Sequence, residues 1–267
     1  MFLSVVVPTC NRNDLLSQCL ELLAPSYQSV NKENYQVIVT DDSINNTARE
    51  LSDEFPWATF LNGPKRGPAA NRNHGARNSK GDWLIFIDDD CLPSKDLLIS
   101  YYNEIEKGEW DGLEGLIAAE RPRQRFDEVA PLNLNGGCFW ACNIAIEKKI
   151  FNSLNGFDEG FPFAAMEDVD FFERLKKVAR LKFIDSAKVI HPWRLAKPFK
   201  NLKMQIISNK YMLNKYNVDR NFNYRIKRFK LFIGILISDA GTLKKYSFKG
   251  VGLYIEKVCF QFSMLFI

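Results

Sequence analysis

The segment Trp83-Leu84-Ile85-Phe86-Ile87-Asp88-Asp89-Asp90 carries the strongest structural signal in this chain of 267 residues. Five consecutive apolar residues between Gly81-Asp82 and Pro93 are typical of a central parallel strand that is covered on both faces. In open α/β sheets, ligands lie beyond the carboxyl ends of the strands. The three aspartates at this strand end are therefore expected to face a ligand site.

Three adjacent carboxylates repel one another and raise one another's pKa unless a cation compensates them. Carboxylate oxygens suit Mg²⁺ or Mn²⁺, and such a metal also takes ligands from the phosphates of a substrate. A solvated acidic turn is the competing interpretation of an isolated triplet. The flanking sequence has to decide between the two.

The residues before the triplet predict two further strands that end in polar groups. Residues 2–7 form an apolar, β-branched strand that ends at Pro8-Thr9-Cys10-Asn11-Arg12. Residues 35–40 form a second strand that ends in Asp41-Asp42-Ser43. We expect both strand ends to lie at the same edge of the sheet as the triplet.

Helices are predicted between these strands. Apolar residues recur at helical spacing after Asn13 and Asp14 until Pro25 ends the pattern. A short helix over 47–55 and a third strand over 58–61 follow. This alternation describes a doubly wound half-domain of the kind that binds nucleotides.

The loop Gly63-Pro64-Lys65-Arg66-Gly67-Pro68 leads into a helix with small residues on its first turn. Small residues allow close backbone approach, and a helix N-terminus attracts anions, so Arg66 or Arg72 could fork onto a diphosphate there. A plain loop with solvated basic residues is the alternative. No G-x-G-x-x-G motif is present, which counts against a dinucleotide.

Four segments together resemble the family 2 glycosyltransferases of the GT-A fold. They are Val5-Val6-Val7-Pro8-Thr9-Cys10-Asn11-Arg12, Asp41-Asp42-Ser43, Gly67-Pro68-Ala69-Ala70-Asn71-Arg72-Asn73 and the aspartate triplet. The resemblance implies an α/β fold in which a Rossmann-like, nucleotide-binding mixed sheet is flanked by helices. A C-terminal helical extension is expected to follow it.

The resemblance also implies a donor site for a nucleoside diphosphate sugar, with a UDP-sugar favoured. The residues expected at the nucleotide sugar are Pro8, Thr9, Asn11, Arg12, Asp42, Arg72, Asp88 and Asp89. Those expected to hold Mn²⁺ or Mg²⁺ are Asp88, Asp90 and His191. A lone histidine is more often structural than a ligand, and only the resemblance, which places a metal-binding histidine after a late strand, reverses this for His191.

The second half of the chain extends the resemblance. A strand over 113–118 and a long polar connection over 119–135 precede a strand over 136–146. Gly156-Phe157-Asp158-Glu159 then matches the family segment that comes just before the catalytic acid. The resemblance therefore implies that Asp168 is the general base, although acids at a helix start also occur simply because they stabilise the helix dipole.

Beside that base, the acceptor is expected to contact Glu167, Trp140 and Asn143, and Trp193 is a second candidate for stacking on a sugar. An aromatic residue in an apolar run is, however, more often part of the core. The predicted domains are a catalytic domain over 1–195, divided into a nucleotide-sugar half over 1–92 and an acceptor half over 93–195, and an extension over 196–267.

Charge is distributed unevenly between these parts. Residues 1–191 contain 21 basic and 29 acidic side chains, whereas residues 192–267 contain 15 and 3. Basic amphipathic helices are predicted over 201–216 and 224–237. They either contact an anionic membrane surface or pack on the catalytic domain with a solvated basic face.

Composition narrows the class of protein. An apolar content of 46% is ample for a core, and no zinc-finger or RNA-binding signature points to nucleic acid. The six cysteines show no framework spacing and are expected to be reduced, which favours the cytoplasm, with the cytoplasmic face of the membrane as the peripheral alternative. The first residues resemble a strand rather than a signal peptide, and no run is long enough to span a membrane.

The expected function is metal-dependent, inverting transfer of a sugar to a hydroxyl of a saccharide or lipid-linked acceptor, in polysaccharide or glycoconjugate synthesis. A nucleotidyltransferase is the first alternative, but Pro8-Thr9-Cys10-Asn11-Arg12 is not the glycine-rich basic loop that it needs. A non-catalytic scaffold that binds nucleotide sugars is the second, although the intact carboxylates argue against it. A phosphatase would need a nucleophilic Asp-x-Asp-x-Thr motif, and Cys91-Leu92 follows Asp90 instead.

Overall fold

The computed structural model describes residues 1–45, 47–161 and 166–267. The chain groups into two compact units. The first contains Met1–Glu120, Pro131–Gly160 and Glu167–Pro192, and the second contains Arg121–Ala130, Phe161–Met166 and Trp193–Ile267. The predicted boundary after residue 195 stays a prediction, since part of the polar connection groups with the C-terminal helices.

Helices lie between the first and second strands and between the third and fourth, as the periodicity predicts. The strands are β1 (Leu3–Thr9), β2 (Tyr35–Asp41), β3 (Ala58–Asn62), β4 (Trp83–Ile87), β5 (Leu92–Pro93), β6 (Gly112–Ala118), β7 (Glu128–Val129), β8 (Asn143–Glu147), β9 (Leu181–Ile190) and β10 (Arg194–Leu195). The helices are α1 (Asn13–Leu23), α2 (Pro68–Arg77), α3 (Leu97–Ile105), α4 (Lys148–Ser153), α5 (Glu167–Leu175), α6 (Leu202–Lys215), α7 (Phe222–Lys245) and α8 (Val251–Ser263).

Among the described residues, eight strands form one mixed sheet in the order β3-β2-β1-β4-β8-β6-β9-β5. Strands β3, β2, β1 and β4 are parallel, while β8 runs antiparallel to both of its neighbours. The predicted α/β class with a mixed sheet flanked by helices is confirmed. The carboxyl ends of β1, β2 and β4 therefore share one edge.

Strand β4 is apolar throughout because both of its faces are covered. Ile85 and Ile87 contribute to one hydrophobic cluster, which also contains Val5 and Val7 of β1. Leu84 and Phe86 contribute to a second cluster, with Val6. The alternation of side chains across the strand thus places the central strands between two apolar layers.

The short strand β5 links the aspartate triplet to the end of strand β9. Strand β5 begins two residues after Asp90 and pairs antiparallel with β9, with Leu92 opposite Ile190. The backbone N–H of the next residue, His191, donates to the carbonyl of Ala118 at 2.8 Å. This pairing brings His191 beside the aspartates, although about a hundred residues of chain lie between them.

Several predicted elements have different bounds in the structure. The predicted strand over 136–146 is wrong in its first part, because Gly136, Gly137 and Phe139 adopt positive φ and only β8 is extended. The predicted helix over 47–55 contains only a 3₁₀ turn at Ala48–Leu51. Strand β9 is continuous over ten residues, and its pairing with β6 shifts register after Gly115.

The second unit consists of the β7–β10 pair and helices α6, α7 and α8. Phe126, Leu243 and Leu253 form its small buried cluster. Helix α7 is longer than predicted and includes residues up to Lys245. Across the described ranges, no helix combines the length and the apolar content that crossing a bilayer requires.

Candidate active site

The ends of β1 and β4 are joined by hydrogen bonds and ion pairs. The Thr9 hydroxyl donates to Asp89 Oδ2 at 2.6 Å. Arg12, in the loop after β1, lies with Nη1 3.1 Å from Asp90 Oδ2 and Nη2 2.8 Å from Asp89 Oδ1. Two of the three aspartates are therefore compensated by an arginine from the neighbouring strand end.

Asp89 is fully buried, and its ionised form is only partly stabilised. Burial raises the pKa of Asp89 to about 7, while Arg12 and the Thr9 hydroxyl act in the opposite direction. The Oδ1 atom makes an ion pair with Arg12 but no hydrogen bond of good geometry. The desolvation of Asp89 thus outweighs its partners in the described structure.

Arg72 links the triplet to the start of helix α5. Its buried guanidinium donates from Nη2 to Asp88 Oδ1 at 2.6 Å and from Nη1 to Glu167 Oε1 at 3.2 Å. The guanidinium also lies 5.8 Å from the centre of the Phe157 ring. An arginine that bridges two carboxylates fixes both of them, so Arg72 holds the predicted acceptor residue Glu167 beside the predicted donor residue Asp88.

The first turn of α5 presents two acids whose pKa values are raised. Burial raises the pKa of Asp168, and the nearby Arg72 partly offsets this. Burial raises the pKa of Glu167 in the same way, and the nearby Arg72 lowers it. A carboxylate with a raised pKa accepts a proton more readily than an exposed one, which suits a general base.

His191 is buried against Asp90. Its Nδ1 lies 2.9 Å from the carbonyl oxygen of Pro192, and because a carbonyl only accepts, Nδ1 must carry the proton. The Nε2 atom lies 3.3 Å from Asp90 Oδ1. The Nε2 atom therefore faces a carboxylate oxygen, and a cation that binds at this position would take both atoms as ligands.

This donor set fits a divalent cation. Within the described part of the chain, ligand atoms of Asp90, Cys91 and His191 lie within 4.8 Å of one another. The Asp90 carboxylate and the His191 imidazole supply an oxygen and a nitrogen ligand for a divalent cation, and substrate phosphates can complete its ligands. Asp88, also predicted as a ligand, is engaged by Arg72 in this structure.

The remaining donor-site residues lie around the same edge. Pro8 is buried within β1, opposite Thr40 of β2. Asn11 has a left-handed backbone (φ 54°), and its N–H donates to the Ser43 hydroxyl at 2.6 Å. Asp42 accepts the backbone N–H groups of Lys65 and Gly67 at 2.8 and 3.1 Å. Its carboxylate therefore holds the loop that precedes α2.

Two predicted acceptor residues pack within the core in this structure, and their role in acceptor binding stays a prediction. The Asn143 amide accepts from the Tyr101 hydroxyl at 2.9 Å and donates to the carbonyls of Leu116 and Ala187. Its side chain is buried, so it ties strands β8, β6 and β9 together. Trp140 is half-buried and packs against the hydrophobic cluster of β1 and β4.

A buried glutamate that sequence reasoning missed shapes the loop before β8. Glu114 of β6 accepts the backbone N–H groups of Gly137, Cys138 and Phe139 at 2.6, 3.1 and 2.9 Å, and also the Asn133 amide. The two adjacent glycines at 136 and 137, which allow positive φ, are the sequence signal that indicates a nest of N–H groups rather than a strand.

A second missed contact joins α2 to the segment before α5. The Asn73 amide donates to the Phe157 carbonyl at 2.8 Å and to Glu159 at 3.0 Å, and the Phe157 N–H donates back to Asn73 at 2.9 Å. Glu159 also lies 2.8 Å from Arg66. The Gly156-Phe157-Asp158-Glu159 segment is therefore anchored to the helix that carries Arg72.

Comparison with known proteins identifies the type of domain. Residues 4–154 match the model of the family described as glycosyl transferase family 2. An uncharacterized glycosyltransferase of Haemophilus influenzae is 43% identical over 96 residues, which are 35% of this chain and 31% of that protein. A poly(ribitol-phosphate) beta-glucosyltransferase of Bacillus spizizenii is 28% identical over 144 residues, which are 49% of this chain and 22% of that protein.

The matched stretches thus span less than a third of the length of either relative. Among solved structures, S. aureus TarS 1–349 in complex with UDP is similar over 80% of this chain and 66% of its own, with a TM-score of 0.57 and 21% sequence identity. This likeness concerns the fold and confirms the predicted GT-A architecture.

Proposed function

The chain belongs to glycosyl transferase family 2, and on this premise we propose that it transfers a sugar from a nucleoside diphosphate sugar to a hydroxyl of an acceptor. The observation that carries the proposal is the double ion pair of Arg72. One guanidinium lies between Asp88, at the end of β4, and Glu167, at the start of α5. The predicted donor and acceptor residues therefore share one buried arginine as their partner.

In the proposed reaction, the Asp168 carboxylate takes the proton from the acceptor hydroxyl as that oxygen attacks the anomeric carbon. A new C–O bond forms, and the bond between the anomeric carbon and the diphosphate breaks. The nucleoside diphosphate leaves with the bonding electrons. Because attack is direct and from the side opposite the leaving group, the configuration at the anomeric carbon inverts.

The metal of this proposal is Mn²⁺ or Mg²⁺, held by Asp90 and His191, with Asp88 as the third candidate ligand. When bound, a divalent cation neutralises the charge that develops on the leaving diphosphate. Arg72 keeps Asp88 and Glu167 in place in the described structure, and we propose it as a positioning residue rather than only a phosphate contact. Thr9 fixes Asp89 and thereby the end of β4.

The donor nucleotide and the type of acceptor are proposed from similar proteins. TarS was crystallised with UDP, which supports a UDP-sugar as the donor. The Bacillus relative is named for glucosyl transfer to a polymer of ribitol phosphate, which supports a saccharide-type or polyol hydroxyl as the acceptor. A lipid-linked acceptor stays a prediction, as does a cytoplasmic or peripheral location.

Nucleotide binding to the purified chain tests the proposal directly. We expect UDP with Mn²⁺ to raise the thermal midpoint, because a ligand of the native state at about 100 times its Kd adds roughly 2.7 kcal/mol. Other nucleoside diphosphates and UDP without metal are the comparisons. Asp90→Asn should abolish the metal-dependent rise, whereas Asp185→Asn, which changes an exposed carboxylate of β9, should retain it.

A rise with UDP that requires the metal would justify assays of UDP-sugar hydrolysis and transfer. If no nucleoside diphosphate changes the midpoint with or without metal, the proposed donor site is wrong. If the thermal midpoint of Asp90→Asn still rises with UDP and Mn²⁺, the chain binds the nucleotide but Asp90 is not the metal ligand that we propose.

A further inference from the structure

Helix α7 presents large apolar side chains to solvent along one face. Every third or fourth residue belongs to this set, which we call the apolar stripe: Phe222, Ile226, Phe229, Ile233 and Ile237. Their exposed fractions range from 36% to 76%. At 3.6 residues per turn, steps of four, three, four and four residues keep all five on one side of the helix.

Helix α8 continues this apolar surface. Its exposed apolar residues, Val251, Ile255 and Phe262, also recur at helical spacing. Aromatic rings connect the two helices: Phe229 lies 6.4 Å from Phe232, which lies 6.2 Å from Phe262. These ring contacts link exposed apolar side chains of α7 to those of α8, and an apolar surface of this kind is unusual in solvent unless another phase or molecule covers it.

Positive charge borders the apolar stripe. Lys230 lies four residues after Ile226 and three before Ile233, so it neighbours both on the helix surface. Lys227 lies one turn away on the same flank. Helix α7 contains six basic residues and a single acid, Asp239, which pairs with Lys257 at 3.0 Å. No acid of α7 is therefore left to compensate its lysines.

The charge decides what covers this surface. A second copy of the chain would place lysines against lysines, which is unfavourable. An apolar face that is bordered by lysines instead matches the interface of an anionic bilayer, where apolar side chains enter the acyl boundary and basic ones meet lipid headgroups. We infer that α7 and α8 form a docking surface for anionic phospholipid, with α7 lying in the plane of the bilayer surface.

This surface belongs to the second unit and shares no residue with the proposed catalytic site. The inference therefore stands whether or not the chain transfers a sugar. The uneven charge of the sequence is compatible both with helices that contact lipid and with helices that pack on the catalytic domain. We infer lipid contact for α7 and α8.

Co-sedimentation of the full chain with phospholipid vesicles tests the inference. We expect binding to vesicles that contain phosphatidylglycerol, and at least tenfold weaker binding to pure phosphatidylcholine vesicles or at high salt. The variant Phe229→Ser/Ile233→Ser should bind vesicles that contain phosphatidylglycerol at least tenfold more weakly than the parent chain. Lys227→Gln/Lys230→Gln should weaken binding to anionic vesicles about fivefold per lysine, the equivalent of about 1 kcal/mol each.

The matched control replaces two exposed apolar side chains of the first unit, Leu134→Ser/Val178→Ser. All substituted residues are exposed, so each variant should keep the thermal midpoint of the parent. Equal loss of binding in the control and the stripe variant would overturn the inference, as would absence of binding to anionic vesicles. Concentration-dependent dimerisation that only the stripe variant abolishes would show that a second copy covers this face instead.

Discussion

Charged side chains are paired within the fold at the strand-end site, which is formed by the ends of β1 and β4 and the start of α5, whereas on the surface of helix α7 they face solvent. At the ends of β1 and β4, three buried acids and the half-buried Asp88 have internal partners. Arg12 pairs with Asp89 and Asp90, and Arg72 pairs with Asp88 and Glu167. On α7, lysines face solvent beside exposed apolar side chains. Buried charge must be paired within the fold, whereas exposed charge can be left for a partner.

The difference predicts how each region responds to substitution. Removing a member of a buried ion pair leaves the other charge desolvated, so both stability and chemistry should change. Removing an exposed charge should change only the interaction that it makes with something outside the chain.

The proposed base should give the largest effect. Asp168→Asn cannot accept a proton, so kcat should fall by about 10²–10⁴-fold, the usual contribution of a general base. The rise in thermal midpoint with UDP and Mn²⁺ should be unchanged, because donor binding does not need the base. Glu173→Gln, on the same helix and largely solvent-facing, is the control that should keep full activity. Full activity in Asp168→Asn would assign the base to another residue.

Arg72 should give the next effect, this time on stability. Arg72→Met leaves Asp88 and Glu167 without their shared partner, and breaking a buried pair typically costs about 3–5 kcal/mol. For a chain of this size the thermal midpoint should fall by roughly 10 °C. Arg77→Met is the matched control on the same helix, since Arg77 is half-exposed and its contact with Glu159 is long, at 3.4 Å. We expect Arg77→Met to lower the free energy of unfolding by less than about 1 kcal/mol.

If the two arginine variants lost equal stability, the comparison between buried and exposed charge would fail for this helix. Denaturant midpoints at equal slope would measure both losses on one scale.

The pH dependence of kcat gives a smaller and signed effect. Burial raises the pKa of Asp168, and Arg72 opposes the rise. The base must be ionised, so activity should be lost as pH falls through this raised pKa, at higher pH than for an exposed aspartate. In Arg72→Met the acidic limb should move to still higher pH, because the opposing charge is gone. A limb that moves to lower pH would contradict the electrostatic effect of Arg72 on the base.

The same raised pKa has a consequence for stability. A carboxyl group whose pKa is higher in the folded than in the unfolded chain binds more protons when folded. Its contribution to the free energy of unfolding therefore falls as pH rises from the unfolded pKa through the folded one. Asp168→Asn should flatten this part of the pH–stability curve.

The fold and most of the strand-end site could be predicted because their signals are local. The apolar run of β4, the acids that follow it and the alternation of strands and helices each lie within a short segment, and strand order places their ends together. His191 could be placed only by resemblance, since its position beside Asp90 depends on the pairing of β5 with β9, which no local pattern encodes.

Long-range partners account for what the sequence did not predict. Glu114 resembles an ordinary polar residue of a strand until the loop at 137–139 donates its N–H groups to it. Asn143 lies in a segment that matches the expected acceptor region, yet its three hydrogen bonds use its amide within the core. Such roles depend on which strands become neighbours, and side-chain type alone does not reveal them.

The smallest effect belongs to the lysines of α7. Lys227→Gln/Lys230→Gln should change the free energy of unfolding by less than about 0.5 kcal/mol, because exposed side chains away from caps and buried pairs contribute little. The same variant should weaken binding to anionic vesicles many-fold. Measuring both on one preparation separates the two regions, since Arg72→Met should change stability and leave vesicle binding intact. A lysine variant that lost several kcal/mol would mean that these charges support the fold, as the arginines of the strand-end site do.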